Sequence, residues 1–243
     1  MSGPPTLGEY TRLDDDTMLR AWGLARLAEC AIGDLMGAYA LAHREALAAA
    51  PDRIHPSARI HPSARIGDDV LIGPDVVVHE FSTVRDGSIL SRGVVVGFGC
   101  EVIRSLVAQG SMLGHRISLG RTIVGRDVHL GAGVLVASVS LWNDDMRRPD
   151  KEITIRLPSG EVYGCRSPKF GAVFGDGSRS ATGVVVGPGV LIGPGSILYG
   201  GVQFSGAVVP AHTVVRPRNA PCDIDIAERE TRSPYAPVLE PRS

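Results

Sequence analysis

Long apolar runs are missing from this chain, and so is any stretch that reads as a secretory leader: the first residues include Pro4, Pro5 and the acidic run Asp14, Asp15, Asp16. A membrane-spanning or exported protein is not expected from such a start, and a cytoplasmic one is. Cysteine is scarce. Its four positions, Cys30, Cys100, Cys165 and Cys222, are scattered with no CxxC spacing. A disulfide framework or a zinc site is therefore not expected, and a reducing compartment fits. Aromatics make up only 5%, which suits a narrow core of Val, Ile, Leu and Ala. The formal net charge is −1, so electrostatics offer no case for nucleic acid or an anionic membrane as partner. Glycine is plentiful, with 30 among 243 residues, as a chain dense in turns requires.

What the chain does have is a beat of six. Ile54, Ile60, Ile66, Ile72, Val78, Val84, Leu90, Val96 and Val102 follow one another at that interval, all branched aliphatics. Ile54-His-Pro-Ser-Ala-Arg59 and Ile60-His-Pro-Ser-Ala-Arg65 are nearly identical copies. The beat returns at Phe174, Val186, Ile192, Leu198 and Phe204. One hexad cannot bury its own aliphatic residue, but stacked coils can, so the period predicts a solenoid. Small residues (Ala58, Ala64, Val70, Val76) fill the interior beside each aliphatic, and Gly, Asp, Asn or Pro turns the chain. Three such faces make a triangular coil of about 18 residues, stacked at the roughly 4.8 Å spacing of paired strands. The pattern resembles the left-handed parallel β-helix of hexapeptide-repeat proteins. Its handedness comes from that resemblance, since crossovers are ordinarily right-handed.

Three parts follow. Residues 1–52 form a loose leader (1–13) and a helical cap or packing segment. Asp14–Asp16 suit a helix N-terminus, and Leu24, Leu27, Ala31, Leu35, Ala38 and Ala42 keep helical spacing up to about Ala50. Gly33 and Gly37 are candidate breaks, and Pro51 ends the stretch. Residues 53–215 form the all-β solenoid. It is interrupted over 141–169, where Glu152-Ile-Thr-Ile-Arg-Leu157, Pro158-Ser-Gly160 and Glu161-Val-Tyr163 read as a protruding hairpin loop. Long loops on rigid scaffolds often carry function. Residues 216–243 are a Pro- and charge-rich tail with a short helix near Asp223–Arg232.

The register also breaks between Val102 and Val124, around Gly114-His115-Arg-Ile-Ser-Leu-Gly120 and Val124-Gly-Arg-Asp-Val-His-Leu-Gly-Ala-Gly133. This stretch resembles the acetyltransferase domain of the bifunctional N-acetylglucosamine-1-phosphate uridylyltransferase/glucosamine-1-phosphate acetyltransferases. It is closer still to the archaeal sugar-1-phosphate nucleotidylyltransferase/acetyltransferases. The resemblance covers roughly residues 54–215 and leaves out both the N-terminal helices and the family's nucleotidylyltransferase domain.

The resemblance implies an acyl-CoA-dependent N-acyltransferase with His115 as general base. An attacking amine must lose a proton, and imidazole titrates near the working pH. Ala132, in the Gly131-Ala132-Gly133 turn, would present a backbone N–H to the thioester oxygen. Arg85, Glu101 and Lys169 fall on substrate-site positions; a guanidinium fork suits a phosphate. The departures count as well. The family's phosphate-binding lysine is Ile103, with Arg104 next door; its tyrosine is Ser118; its asparagines are His129 and Ser138. Loss of buried polar partners changes specificity sharply. The acceptor is therefore expected to be an amino sugar, an amino-sugar phosphate or a related small amine, with His129 and Ser138 as further members of the catalytic set. For acetyl-CoA or another acyl-CoA, Ala132, Arg179, Thr182 and Gly187 are the candidate contacts. The resemblance also implies a homotrimer with sites between subunits, to which Val94, Val184 and Val185 as exposed packing residues would contribute.

Three other readings stand beside this one. One is a catalytically inactive binding or scaffold protein, suggested by Ser118 and Ser138. Another is a metal-dependent lyase using His55, His61 and His79, which lack a close His-x4-His pair; no metal is expected. The last is a nucleotidylyltransferase subunit, for which the N-terminal segment is too short.

Overall fold

The computed structural model describes residues 5–217. Its body is a parallel β-solenoid of very short strands in three sheets of eight, seven and seven strands, called here faces 1, 2 and 3. Each turn visits them in that order. Arg59–Ile60 lies on face 1, Arg65–Ile66 on face 2 and Leu71–Ile72 on face 3, and Val77–Val78 then pairs with Arg59–Ile60. The beat residues point inward: Ile72, Val84, Leu90, Val96 and Val102 are fully buried. Serines line the buried corners; Ser82 donates to the Gly97 carbonyl at 2.7 Å and Ser111 to that of Gly125 at 2.6 Å, while the Ser178 hydroxyl has no partner among the described residues.

The break after Val102 is a shortening of one corner. Between faces 2 and 3 the inward step drops from six residues to five at Val102–Val107 and at Leu119–Val124. Arg104 and Arg121 take left-handed φ values of 46° and 51° in these tightened corners. The coil therefore continues without a gap, and Ile103 still pairs with Gly120.

Face 3 is apolar on both sides. Its outward residues Leu71, Ile89, Leu106, Ile123, Val173 and Leu191 are buried beneath the N-terminal segment and the inserted hairpin. Here the structure differs from three expectations. The helical stretch does split in two, α1 (Thr17–Ala21) and α2 (Leu35–Ala49) joined by 3-10 turns, but the break comes earlier than Gly33 and Gly37, and Gly37 lies within α2. Gly23, at φ 70°, ends α1, with the Leu24 N–H reaching back to the Leu19 carbonyl at 2.8 Å. The expected leader is not loose over its described part, because Leu7 and Leu13 are fully buried; the apolar sheet face is longer than two short helices can cover. Val94 and Val184, expected on the surface, are also fully buried, since they occupy the small-residue position inside the coil. Val185 alone of the three is partly exposed.

The insertion leaves from the corner between faces 2 and 3 and contains an antiparallel pair, Thr154–Arg156 with Val162–Gly164. It folds back onto the solenoid. Ile155 is fully buried, and the Arg156 N–H donates to the Gly206 carbonyl at 2.8 Å. Burial, with the charge of Glu152, pushes the neighbouring Cys165 thiol up to about 12. The thiol's contribution to stability is thus complete below the ordinary value of 9.0 and is lost as the pH climbs toward about 12. In mildly alkaline buffer the native chain should resist alkylation by iodoacetamide at Cys165 and at buried Cys100, and urea should open both. Peptide mass spectrometry reads the result, and labelling of Cys165 in the folded chain would contradict this packing.

Among the described residues, no helix is long and apolar enough to cross a membrane. The helix expected near Asp223–Arg232 lies outside them.

Candidate functional site

The corner between faces 1 and 2 stacks one residue of each coil above the next. The Gly99 N–H donates to the Glu80 carbonyl at 2.9 Å, Arg116 to Phe98 at 2.8 Å, Gly133 to His115 at 2.8 Å and Gly183 to Ala132 at 2.9 Å. This ladder runs Glu80, Phe98, His115, Ala132, Thr182. It places His115 and Ala132 on adjacent rungs, about 4.8 Å apart along the stack. Thr182, fifty residues beyond Ala132 in sequence, is the next rung. Glycines make the stacking possible: a Cβ on Gly97 would collide with the Gly114 carbonyl, and one on Gly131 would lie 2.6 Å from the Ala181 carbonyl.

His115 is exposed, and its Nδ1 accepts a long hydrogen bond of 3.3 Å from the Phe98 N–H. In that arrangement a neutral ring carries its proton on Nε2. The contact lies beyond the normal range and is readily released. In the Gly131-Ala132-Gly133 turn, the Gly131 N–H is bound to Ser180 and the Gly133 N–H to the His115 carbonyl. The Ala132 N–H has no partner among the described residues. It is the amide of this turn left free to meet an incoming oxygen.

The outer surface of face 2 runs away from this corner. Glu101 and Ser118 are paired neighbours in its first outward row, and Arg85, Ile103 and Gly120 form its second. Arg85 is already engaged, with Nη1 donating to Asp86 at 2.7 Å and Nη2 to Glu101 at 3.1 Å. Ser138 closes over Gly120, where an added Cβ would lie 3.2 Å from its Oγ. Lys169 bridges Val139 at the root of the insertion, and its N–H and carbonyl are both held by Ser167 Oγ, at 3.1 and 3.0 Å. Arg104 and Arg121 stand at the far edge, in the shortened corner.

The remaining candidates sit elsewhere. His129 and Arg179 are paired neighbours on the exposed surface of face 1, around the corner from face 2, and His129 makes no hydrogen bond to His115 among the described residues. Gly187 lies across face 2 from Ala132 and Thr182. It lines a cleft of about 680 Å³ with Trp142, Leu141, Val185, Pro188 and Phe204, a size within the range of small-molecule sites. Leu141 and Trp142 are 87% and 86% exposed. Gly187 opens a Gly-Pro-Gly turn, Gly187–Gly189, between faces 2 and 3, and a second such turn, Gly193–Gly195, lies on a different edge, between faces 3 and 1.

Sequence reasoning missed this cleft, because nothing local marks where the insertion folds back. It also missed Arg121, whose signal was available: an arginine follows Gly120 in the stretch where the six-residue beat lapses. Among the described residues no group of three or more His, Cys, Asp or Glu is arranged to hold a metal ion.

Residues 49–156 match the family described as the GMPPB C-terminal domain. The chain is 36% identical over 58 residues to the Bifunctional protein GlmU of Coxiella burnetii, covering 24% of this chain and 13% of that one. It is 28% identical over 107 residues to the Bifunctional sugar-1-phosphate nucleotidylyltransferase/acetyltransferase of Sulfurisphaera tokodaii, covering 44% of this chain and 25% of that one. It therefore spans a quarter or less of the length of these two relatives. A solved structure of a mutant GDP-perosamine N-acetyl transferase from Caulobacter crescentus, in complex with CoA and GDP-perosamine, aligns at 22% identity and a TM-score of 0.38, covering 76% of this chain and 62% of that one. The recurring hexad beat and the three-faced parallel coil it builds make the chain a hexapeptide β-solenoid, similar over part of its length to a bifunctional sugar-1-phosphate nucleotidylyltransferase/acetyltransferase and to a Bifunctional protein GlmU.

Proposed function

We propose that the chain is an acyl-CoA-dependent N-acyltransferase, most simply an acetyltransferase, acting on an amino sugar, an amino-sugar phosphate or a related small amine. The observation that carries this reading is the stacking of His115 directly on Ala132, a proton acceptor one rung from an unpartnered amide. The acetyltransferase half of the Sulfurisphaera tokodaii relative's name supports it.

The chemistry balances with these two groups. The amine nitrogen attacks the thioester carbonyl, and the Ala132 N–H stabilises the resulting oxyanion. His115 gives up its contact with the Phe98 N–H and takes the amine proton on the ring nitrogen so freed. The carbon–sulfur bond then breaks, and the imidazolium returns the proton to the leaving thiolate, so the products are an amide and free CoA. Glu101, Ser118, Ser138 and Lys169 border the acceptor's path along face 2, with Arg85 and Arg104 as its cationic contacts. Thr182, the rung after Ala132, extends the same line toward the donor, and Arg179 and Gly187 flank it on either face. His129 serves from face 1 as a second acid or base. A cytoplasmic homotrimer completes the reading, with each site shared between subunits. Exposed apolar residues on faces 1 and 2, among them Met112, Leu135 and Ile197, supply the surface such packing would bury.

The test is thiol release from acetyl-CoA with glucosamine-1-phosphate, galactosamine-1-phosphate, free amino sugars and amino acids in turn, beside calorimetric titration with CoA and a light-scattering measurement of mass. We expect CoA binding, release with at least one amine, and the mass of three chains. Neither release nor CoA binding would remove the acyltransferase reading.

A further inference from the structure

We propose that Arg104 and Arg121 together form an anion cradle, at the corner between faces 2 and 3, for a phosphate or diphosphate group. The inference deepens the reading above and rests on it only for which molecule carries the anion.

The two arginines occupy successive rungs of one corner. The Arg104 N–H donates to the Arg85 carbonyl at 3.2 Å, and the Arg121 N–H to the Ile103 carbonyl at 2.9 Å. Their backbones thus stack one coil apart in the same left-handed conformation. Two cations so held repel one another unless something negative lies between or before them. Among the described residues nothing pairs with them. Neither guanidinium makes an ion pair or a hydrogen bond to a carboxylate. Asp86, on the preceding rung, is held by Arg85, and the Tyr39 hydroxyl near Arg104 is spent on the Gly87 carbonyl at 2.6 Å. Burial holds the Arg121 guanidinium below its ordinary value; the Arg104 charge adds to this, and Asp86 opposes it. An arginine that stays partly desolvated beside another, with no carboxylate of its own, is arranged for an anion with several oxygens, which the guanidinium fork fits.

Arg85, the other cationic contact on face 2, already donates to two carboxylates, Asp86 and Glu101. Arg104 and Arg121 are unpaired cations stacked on successive rungs of this corner, among the described residues. They stand at the opposite edge of face 2 from His115; Arg121 is six residues on along the chain, roughly 20 Å at full extension. An anion bound there is therefore remote from the reacting amine. It is either the far phosphate of an extended acceptor or a phosphate of CoA.

The experiment is calorimetric titration of the full chain with inorganic pyrophosphate, beside Arg104→Asn, Arg121→Asn and Arg121→Lys. Asparagine tolerates the left-handed backbone, and circular dichroism with thermal melting verifies the fold of each variant. Arg166→Asn is the control: its backbone is also left-handed, but it is paired with Asp34 at 2.8 Å. We expect pyrophosphate binding that each Asn variant weakens about tenfold or more, that Arg121→Lys largely keeps, and that Arg166→Asn leaves unchanged. No binding by the unmodified chain, or equal binding by the Asn variants, overturns the cradle. Titration with CoA and with glucosamine-1-phosphate assigns its source, because Arg121→Asn weakens whichever molecule places phosphate there. None of these titrations needs turnover, so failure of the cradle is separable from failure of the acyltransferase reading.

Discussion

Replacing His115 by alanine should lower the rate of thiol release by about 10²–10⁴-fold, the range supplied by a positioned general base, without unfolding the chain. The imidazole is exposed and makes one long contact, to the Phe98 N–H, so its removal leaves no cavity and strands little. Truncation on an exposed turn costs folding stability only a few tenths of a kcal/mol. The backbone bond that aligns the rungs, from the Gly133 N–H to the His115 carbonyl at 2.8 Å, does not involve the side chain, so the Ala132 amide keeps its place. The loss should fall on kcat, with the CoA dissociation constant nearly unchanged, since the imidazole acts as the proton leaves the amine. Steady-state kinetics with the acceptor found by thiol release, and CoA titration of the same variant, test this. Retention of full activity would transfer the base role elsewhere, with His129 next in line.

Asp16→Ala should cost about 3–5 kcal/mol of folding stability, because it strands several donors at about 1–3 kcal/mol for each one that is buried. The carboxylate is fully buried and accepts four hydrogen bonds. Oδ1 caps α1, taking the Met18 and Leu19 N–H groups at 3.0 Å each, and also accepts the Ser91 hydroxyl at 2.7 Å. Oδ2 takes the Gln109 N–H at 2.9 Å. One side chain therefore caps a helix and pins it to two successive coils of the solenoid. Alanine would leave those donors unsatisfied, in part within the core. Urea denaturation followed by circular dichroism gives the change. Because a solenoid is coupled mainly through nearest neighbours, the N-terminal segment should loosen before the coils. A variant within about 1 kcal/mol of the parent, the usual scale of a single helix cap, would show that the capping role outweighs the docking role.

Much of this architecture was legible in the residues. The six-residue beat announces a coil because inward pointing repeats with local geometry: each aliphatic needs only its own turn to know which way it faces. The hairpin over 152–163 was legible for the same reason, a strand pattern and a turn within one short segment. Asp16 stood out as part of an acidic run before a helix. His115 and Ala132 were reached through a motif, which says that two positions matter together without saying how they meet.

The sequence by itself determined the period, the inward residues and the kinds of side chain at the corners, all of which depend on a few adjacent residues. Tertiary structure decided everything that depends on how coils add up. A single residue removed from a corner keeps Leu119 and Val124 inside while shifting the count, so the beat between Val102 and Val124 looked lost though the coil continues. A long insertion separates Ala132 from Thr182, yet stacking makes them neighbours, because register between rungs is set by the sum of all corner lengths. The burial of Leu7 and Leu13 required knowing that face 3 is apolar outside as well as inside. The meeting of Arg104 with Arg121 required knowing that both corners are shortened alike. In a solenoid, contacts along the coil are written locally, while contacts between coils are accumulated over every residue of the turn, and the candidate site is built from the second kind.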